Sequence, residues 1–288
     1  MKKLVREELY RGFFSRSMYC VLILGILLAV AQAVGYYHTV HLSDEKVIRE
    51  FMVQKDLYGM GNFPDNVYES FLGGERFTFF SEIYFSILPI LAVLPYGMSC
   101  FDDRKSGYAD QVICRVGYKT YCISKLIASF LIGGFAVLFP YVLSFLITAQ
   151  IYPMDFPNVQ DGRSAITGRS LLINYYYVHP LLYALAYVLI LFMIGGILAM
   201  MASLACYYLR IRLAILFAPY IFYSVQLVVF ERFGILPWAF KPLAFQSGYT
   251  RLEDVSYPEV LLYLLAHILI IGGLFIWKTR KIETTTLS

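Results

Sequence analysis

Few residues of this 288-residue chain have the types and spacing to do chemistry. Glu7 and Glu8, with Arg11 close behind, pair two carboxylates with a cation. Such a pair activates water when it lies deep in an apolar interior with histidines at hand, but here it precedes the first apolar run. His267 falls near the centre of a long apolar stretch, where an ionisable group is by default a functional candidate. Its neutral form costs far less, and a hydrogen bond to a neighbouring helix, worth about 0.6–2 kcal/mol, is the favoured reading. His38 and His41 have the spacing to share a metal, but no third ligand accompanies them, and interfacial histidines are expected. Cys114 and Cys122 lack metal-ligand spacing. No G-x-x-x-x-G-K-S/T phosphate loop, H-E-x-x-H or G-x-S-x-G motif occurs. The expectation is a chain with no cofactor and no catalytic or metal site of its own.

What remains is a dense polar segment, Phe101–Ala128, and the elements on either side explain why it matters. Hydrophobic residues make up 59% of the chain and charged residues only 15%, far below the quarter or so typical of soluble domains. The apolar residues are gathered into six uncharged runs: Met18–Tyr37, Ile83–Cys100, Leu126–Gln150, Leu181–Leu209, Leu213–Phe230 and Val260–Trp277. Each is long enough to cross a hydrocarbon core of roughly 30 Å as a helix. Because lipid offers no partner for backbone amides, six membrane-spanning helices are predicted, giving one all-α polytopic domain over 1–288. Ala31-Gln32-Ala33 resembles a signal-peptide cleavage site, but Glu7 and Glu8 lie in the leading segment and the apolar run continues to Tyr37. The first run is therefore read as a retained span.

Orientation follows from the basic residues beside the spans. Of the 24 Lys and Arg, 15 fall on the side of the termini, with only six of the 20 acids. The net charges, +9 against −5, predict both termini in the cytoplasm and the chain in the cell membrane. The overall charge of +4 thus reflects topology and gives no reason to expect nucleic-acid binding. All five cysteines fall in spans or on the inner side, so no disulfide scaffold is expected outside.

Residues 1–17 carry Val5, Leu9 and Phe13 on one helical face, with Lys2, Lys3, Arg11 and Arg16 supplying the charge of a helix lying on an anionic leaflet. The first outer segment, 38–81, predicts a helix over Asp44–Lys55 and breaks at Gly59, Gly61, Pro64 and Gly73-Gly74. It is expected to pack on the outer ends of neighbouring helices. The third, 231–259, contains Ile235–Phe245, too apolar for a free loop and interrupted by Pro237 and Pro242. A re-entrant hairpin is predicted, with Trp238, Phe240 and Phe245 anchored in the outer leaflet, Lys241 reaching toward headgroups, and the whole acting as an outer gate. Pro89 and Pro95 should bend the second span, Pro140 the third and Pro219 the fifth. Gly195, Ala199 and Ser203 line one face of the fourth span and favour close helix approach, as do Gly133-Gly134 and Gly272-Gly273.

Asp103-Arg104-Lys105-Ser106-Gly107, then Gln111-Val112-Ile113, Lys119 and Lys125-Leu126-Ile127, resembles the cytoplasmic signature of type 2 ABC exporter permeases. Six spans, an N-terminal interface helix and a re-entrant hairpin between spans five and six are also features of that family. Relatives often carry a Pro after the coupling helix, where this chain has Arg115-Val116-Gly117. The resemblance implies a coupling helix within 101–119 that docks a separate ATPase, through Tyr108, Val112 and Ile113 as apolar contacts and Asp103, Arg104 and Arg115 as polar ones, with Gly107 opening the docking segment. ATP and Mg would belong to that partner. It also implies a homodimer, or a heterodimer with a related permease, enclosing a conduit lined by spans one, two and five, with Gln32, Ser86 and Gln226 as its polar positions. Few charges within the spans suit an amphipathic or apolar cargo such as a peptide, lipid or drug. Two other readings stay open: a scaffold or sensor without a conduit, and, from the resemblance of Glu7-Glu8-Leu9-Tyr10-Arg11 to the paired glutamates of glutamate-type intramembrane proteases, a protease.

Overall fold

A computed structural model describes residues 1–38, 66–74, 79–157, 166, 168–245 and 255–286, all helices, turns and connections without a strand among them. The expected helix over 44–55 and His41 lie outside the described residues. Five helices are long and apolar enough to cross a membrane: α2 (Arg16–Tyr36), α7 (Tyr118–Thr148), α9 (Pro180–Ala205), α10 (Arg212–Arg232) and α12 (Tyr257–Thr286). Between them lie α1 (Lys2–Phe13), α3 (Val67–Ser70), α4 (Phe80–Val93), α5 (Ser99–Lys105), α6 (Tyr108–Val116), α8 (Ile173–Val178) and α11 (Phe240–Ala244). The chain is an all-α multi-pass membrane protein.

The second apolar run is where the structure differs from the simple reading. Its helix α4 covers 14 residues and ends at Val93, and a turn through Pro95 leads into α5. Pro95 restricts the residue before it and cannot donate to the turn behind it, so the run breaks there. Pro89 lies within α4 and removes the amide that would bond the Phe85 carbonyl four residues back. Tyr223 of α10 donates to that carbonyl at 2.8 Å, which satisfies it across the helix boundary. Pro140 and Pro219 likewise sit inside continuous helices, α7 and α10.

The core forms around α7 and α9, whose small residues let the backbones meet. A Cβ added to Gly133 would stand 2.3 Å from the Ala199 Cβ and 3.0 Å from the Gly195 carbonyl. One turn away the Ser129 and Ser203 hydroxyls bond at 2.6 Å. The Gly195–Ala199–Ser203 row is therefore an intramolecular seam of close-packed helices. Gly272 has only ordinary contacts and Gly273 faces open space.

At one end of the bundle the 66–74 segment lies buried over α2 and α7. Asn66 caps α3 by accepting from the Tyr68 amide at 3.0 Å and donates to the Asp155 carbonyl at 2.6 Å. The Leu72 amide donates to Ser144, and the Gly73 amide to Ser81. A segment this short has no core of its own, so its backbone is satisfied by the helices it covers.

Candidate functional site

At the opposite end, α1, α5, α6 and the start of α7 converge on a buried set of charges. α5 and α6 are joined by Ser106 and Gly107, and Gly107 has φ +72°, a left-handed conformation that a side chain would strain. Gly117, at φ +83°, separates α6 from α7 in the same way. A nine-residue amphipathic helix is thus held between two sharp glycine turns.

The residues expected to dock a partner divide between two surfaces. Asp110, Gln111, Cys114, Arg115 and Val116 are exposed. Val112 and Ile113 are half-buried and pack against the protein's own core, because α6 lies down on the bundle with that face inward. Tyr108 is half-buried beneath Arg11, whose guanidinium stands 4.6 Å from its ring centre. Arg104 is exposed and donates to the carbonyls of Cys206, the cap of α9, and Cys100, while lying over the Tyr207 ring at 4.6 Å. Its charge complements the carbonyl end of α9. Asp103 does not reach the surface at all: it is fully buried, and its expected place as an exposed polar contact is corrected to an interior one.

The reason is Lys125. Its ammonium is fully buried, 2.5 Å from Asp103 Oδ2, 2.8 Å from Glu8 Oε2 and 2.9 Å from the Tyr96 hydroxyl. Tyr96 donates to the same Glu8 oxygen, and Tyr121 donates to Asp103 Oδ2 at 3.0 Å. Arg11 closes the set from its half-exposed position, paired with Asp103 Oδ1 and 3.5 Å from Glu8 Oε2. Two carboxylates thus face two cations, and buried charge is tolerable when paired and hydrogen-bonded in this way. Burial pushes the Asp103 carboxyl up, but the hydrogen bond from Arg11 and the Lys125 charge outweigh it and hold the group below the usual carboxylate range. Glu8 Oε1 is buried with no hydrogen-bond partner.

This network also decides how α1 sits. The apolar row Val5, Leu9 and Phe13 is only half-buried, and the deepest face is Leu4, Glu8 and Gly12, about one residue around the helix. Lys125 draws Glu8 inward, and Gly12 makes room. A Cβ there would stand 2.1 Å from the Ile132 Cδ1 and 2.9 Å from the Tyr96 ring. Ser15, at the turn into α2, accepts from the Met18 amide and donates to the Pro95 carbonyl, tying this turn to the one between α4 and α5. Glu7 is exposed while Glu8 is buried against a cation, so the two carboxylates do not share a site. No histidine is among their partners.

Two covering segments bond the three expected conduit positions: the 66–74 segment bonds Gln32, and α11 bonds both Ser86 and Gln226. Gln32 of α2, fully buried, donates to the Ser70 carbonyl at 3.2 Å. Ser86 of α4 accepts from Lys241 at 3.3 Å. Gln226 of α10 accepts from the Phe240 amide at 3.1 Å and donates to the Tyr263 hydroxyl at 3.3 Å.

The segment expected to be re-entrant forms a 3-10 turn, Leu236–Trp238, followed by α11, packed against α4, α9 and α10. Phe240 and Phe245 are buried in the bundle, not set in the outer leaflet. Phe245 meets Phe85 at 4.6 Å between ring centres, and Phe240 lies 5.2 Å from His267. Trp238 and Pro237 are half-buried, with Trp238 against Tyr263 at 5.2 Å. Lys241 turns inward to α4, 3.4 Å from Glu82, and away from the expected headgroup contact. The His267 ring bonds the Tyr263 carbonyl of its own helix at 3.0 Å. Among the described residues no group of three or more His, Cys, Asp or Glu could hold a metal ion.

Tyr96 and Tyr121 were invisible as site residues in the sequence, and Glu8 was read there only beside Glu7, not as a partner of Lys125. The only signal was the i,i+3 pair Glu8–Arg11 on an otherwise amphipathic helix. No protein-family model matches this sequence, and no curated protein matches it.

Proposed function

We propose that this chain is the membrane-spanning permease subunit of an ATP-driven transporter of the type 2 ABC exporter kind, working as a dimer with separate ATPase subunits. The observation that carries this reading is the linkage at the buried charges. An exposed amphipathic helix, α6, follows directly on α5, whose Asp103 is gripped by Lys125 of α7 and Arg11 of α1. A push on α6 therefore reaches the first membrane helix, through α1, and the long helix α7 together. Reversing a 1:99 ratio of two states takes about 5.5 kcal/mol of differential binding, and a rigid charged junction transmits such a bias without bending.

In this reading α4 and the turn behind it, through Cys100, make the remaining crossing, both termini lie in the cytoplasm, and the protein resides in the cell membrane. The partner's face is Asp110, Gln111, Cys114 and Arg115, and ATP and Mg are bound by the partner alone. The conduit lies between two permease copies beside α2, α4 and α10, with α11 closing its outer mouth. α10 leaves Leu213, Phe217, Ile221 and Val225 exposed in one row, suited to lipid or a second copy. Cargo is amphipathic or apolar, and stimulation of ATPase activity only by anionic sugars would overturn that choice.

The test is co-purification with a candidate ATPase subunit, and cross-linking from the exposed Cys114. Gln111→Arg with Arg115→Glu is expected to abolish both while the chain stays folded. Val112→Asp also disturbs the inward face of α6, so it is the less selective probe. Unchanged co-purification and ATPase coupling in the double variant would sink the docking role.

A further inference from the structure

A groove of about 340 Å³ opens between α1 and α7, lined by Met1, Lys2, Val5, Arg6, Leu9 and Ile127. This volume falls at the lower end of the ~300–1,000 Å³ usual for small-ligand sites. Its floor is apolar, two cations stand at its rim, and no carboxylate lines it. Its depth in the membrane follows from the fold: α1 ends at Phe13, and α2 begins its crossing at Arg16. The exposed rings of Tyr10, Phe14 and Tyr19 mark the same level, where amphipathic aromatics sit among lipid headgroups.

We infer that this groove binds one anionic phospholipid, with an acyl chain along Val5, Leu9 and Ile127 and the phosphate at Lys2 and Arg6. A soluble anion gains nothing from the apolar floor, and an uncharged lipid gains nothing from the cations. An anionic amphiphile uses both. The site flanks the face of α1 that carries Glu8 into the buried charges, about one residue around the helix. Lipid touching both walls of the groove therefore bridges α1 to α7 beside the network. None of this depends on the transport reading.

The experiment is native mass spectrometry of the full chain in detergent, titrated with dioleoyl phosphatidylglycerol and, separately, dioleoyl phosphatidylcholine. The expected result is one saturable phosphatidylglycerol adduct per chain and no comparable phosphatidylcholine adduct. Each lost cation should weaken binding about five-fold, so Lys2→Gln with Arg6→Gln should cost about 25-fold. Lys105→Gln, a cation on α5 away from the groove, should change nothing. Ile127→Trp should remove the adduct with both cations in place. Unchanged affinity in the double variant, an equal loss in Lys105→Gln, or displacement of the lipid by millimolar inorganic phosphate would each overturn the site. The double variant alters only exposed side chains, so it stays informative even if Ile127→Trp fails to fold.

Discussion

The two ends of this bundle are fastened by different physics. At the end that the proposed orientation makes inner, Glu8, Asp103 and Lys125 are charges at 0–1% exposure, with Lys125 paired to both carboxylates across three helices. At the other end, the segment proposed to be re-entrant and outer is held by the amide side chain of Gln226, by aromatic contacts and by a partly exposed ion pair, Lys241–Glu82. A buried charge set is close to all-or-none, because removing one member leaves the others uncompensated. Neutral hydrogen bonds and a solvated pair can be released one at a time. The inner junction is thus built to move as a unit and the outer segment to loosen by degrees.

The sharpest way to break this comparison is Lys125→Met. It leaves Glu8 and Asp103 in the interior with the half-exposed Arg11 as their remaining cation and should cost about 3–5 kcal/mol, lowering the unfolding midpoint in detergent well below that of any outer variant. The triple change Glu8→Gln, Asp103→Asn, Lys125→Met removes the charges together and should recover most of the loss. If the single variant unfolds like the parent, the inner charges are not an interdependent set.

Gln226→Leu is the matching test at the re-entrant end. It leaves the buried Phe240 amide without its acceptor, which costs about 1–3 kcal/mol. The loss should be local: a cysteine at Ala239, which is buried in the resting state, should become reactive to a membrane-impermeant thiol reagent while the rest of the bundle stays folded. Global unfolding at that step would mean the outer segment is as tightly coupled as the inner junction.

How much of this was legible beforehand follows the same division. Five of the six expected membrane helices were, because a run such as Leu181–Leu209 admits only one structure in lipid, while the run through Pro89 and Pro95 gave a helix of 14 residues. The small-residue row Gly195, Ala199, Ser203 announced close packing, though only its contact with Gly133 and Ser129 shows that both sides belong to one chain. The inner junction was half-legible. Lys125 stood out as a charge opening a span, but its partners lie 117 and 22 residues away in sequence, at Glu8 and Asp103. No local pattern encodes a pairing that depends on how three helices cross. The same limit placed Phe240 and Phe245 in the leaflet, since an apolar ring near a Pro reads alike whether it meets lipid or protein.

Acid titration probes the inner end more gently. Asp103 has a lowered pKa in the folded protein, so its pairing contributes stability above the ordinary carboxylate range, near 4, that is lost as pH falls through the folded value. Between pH 5 and 8 this group should leave stability flat. Below about pH 4 the parent should lose stability faster than Asp103→Asn, measured by thermal unfolding. Parallel curves for the two would show that Asp103 gains nothing from Arg11 and Lys125.

The smallest effect is expected at Lys241, and it decides the comparison from the other side. Lys241 lies 3.4 Å from Glu82 with 25% and 53% of the two side chains exposed, so solvent screens the pair. Its bond to Ser86 is long, at 3.3 Å. A cycle of Lys241→Met, Glu82→Gln and both together should give a coupling of about 0–1 kcal/mol, shrinking further in high salt. The Lys241 variant alone should leave the bundle folded and make a cysteine at Ala239 only slightly more reactive, because Gln226 still holds the Phe240 amide. A coupling above ~2 kcal/mol, insensitive to salt, would mean the pair is effectively buried. The outer end would then be locked by charge as the inner one is, and the contrast between them would fall.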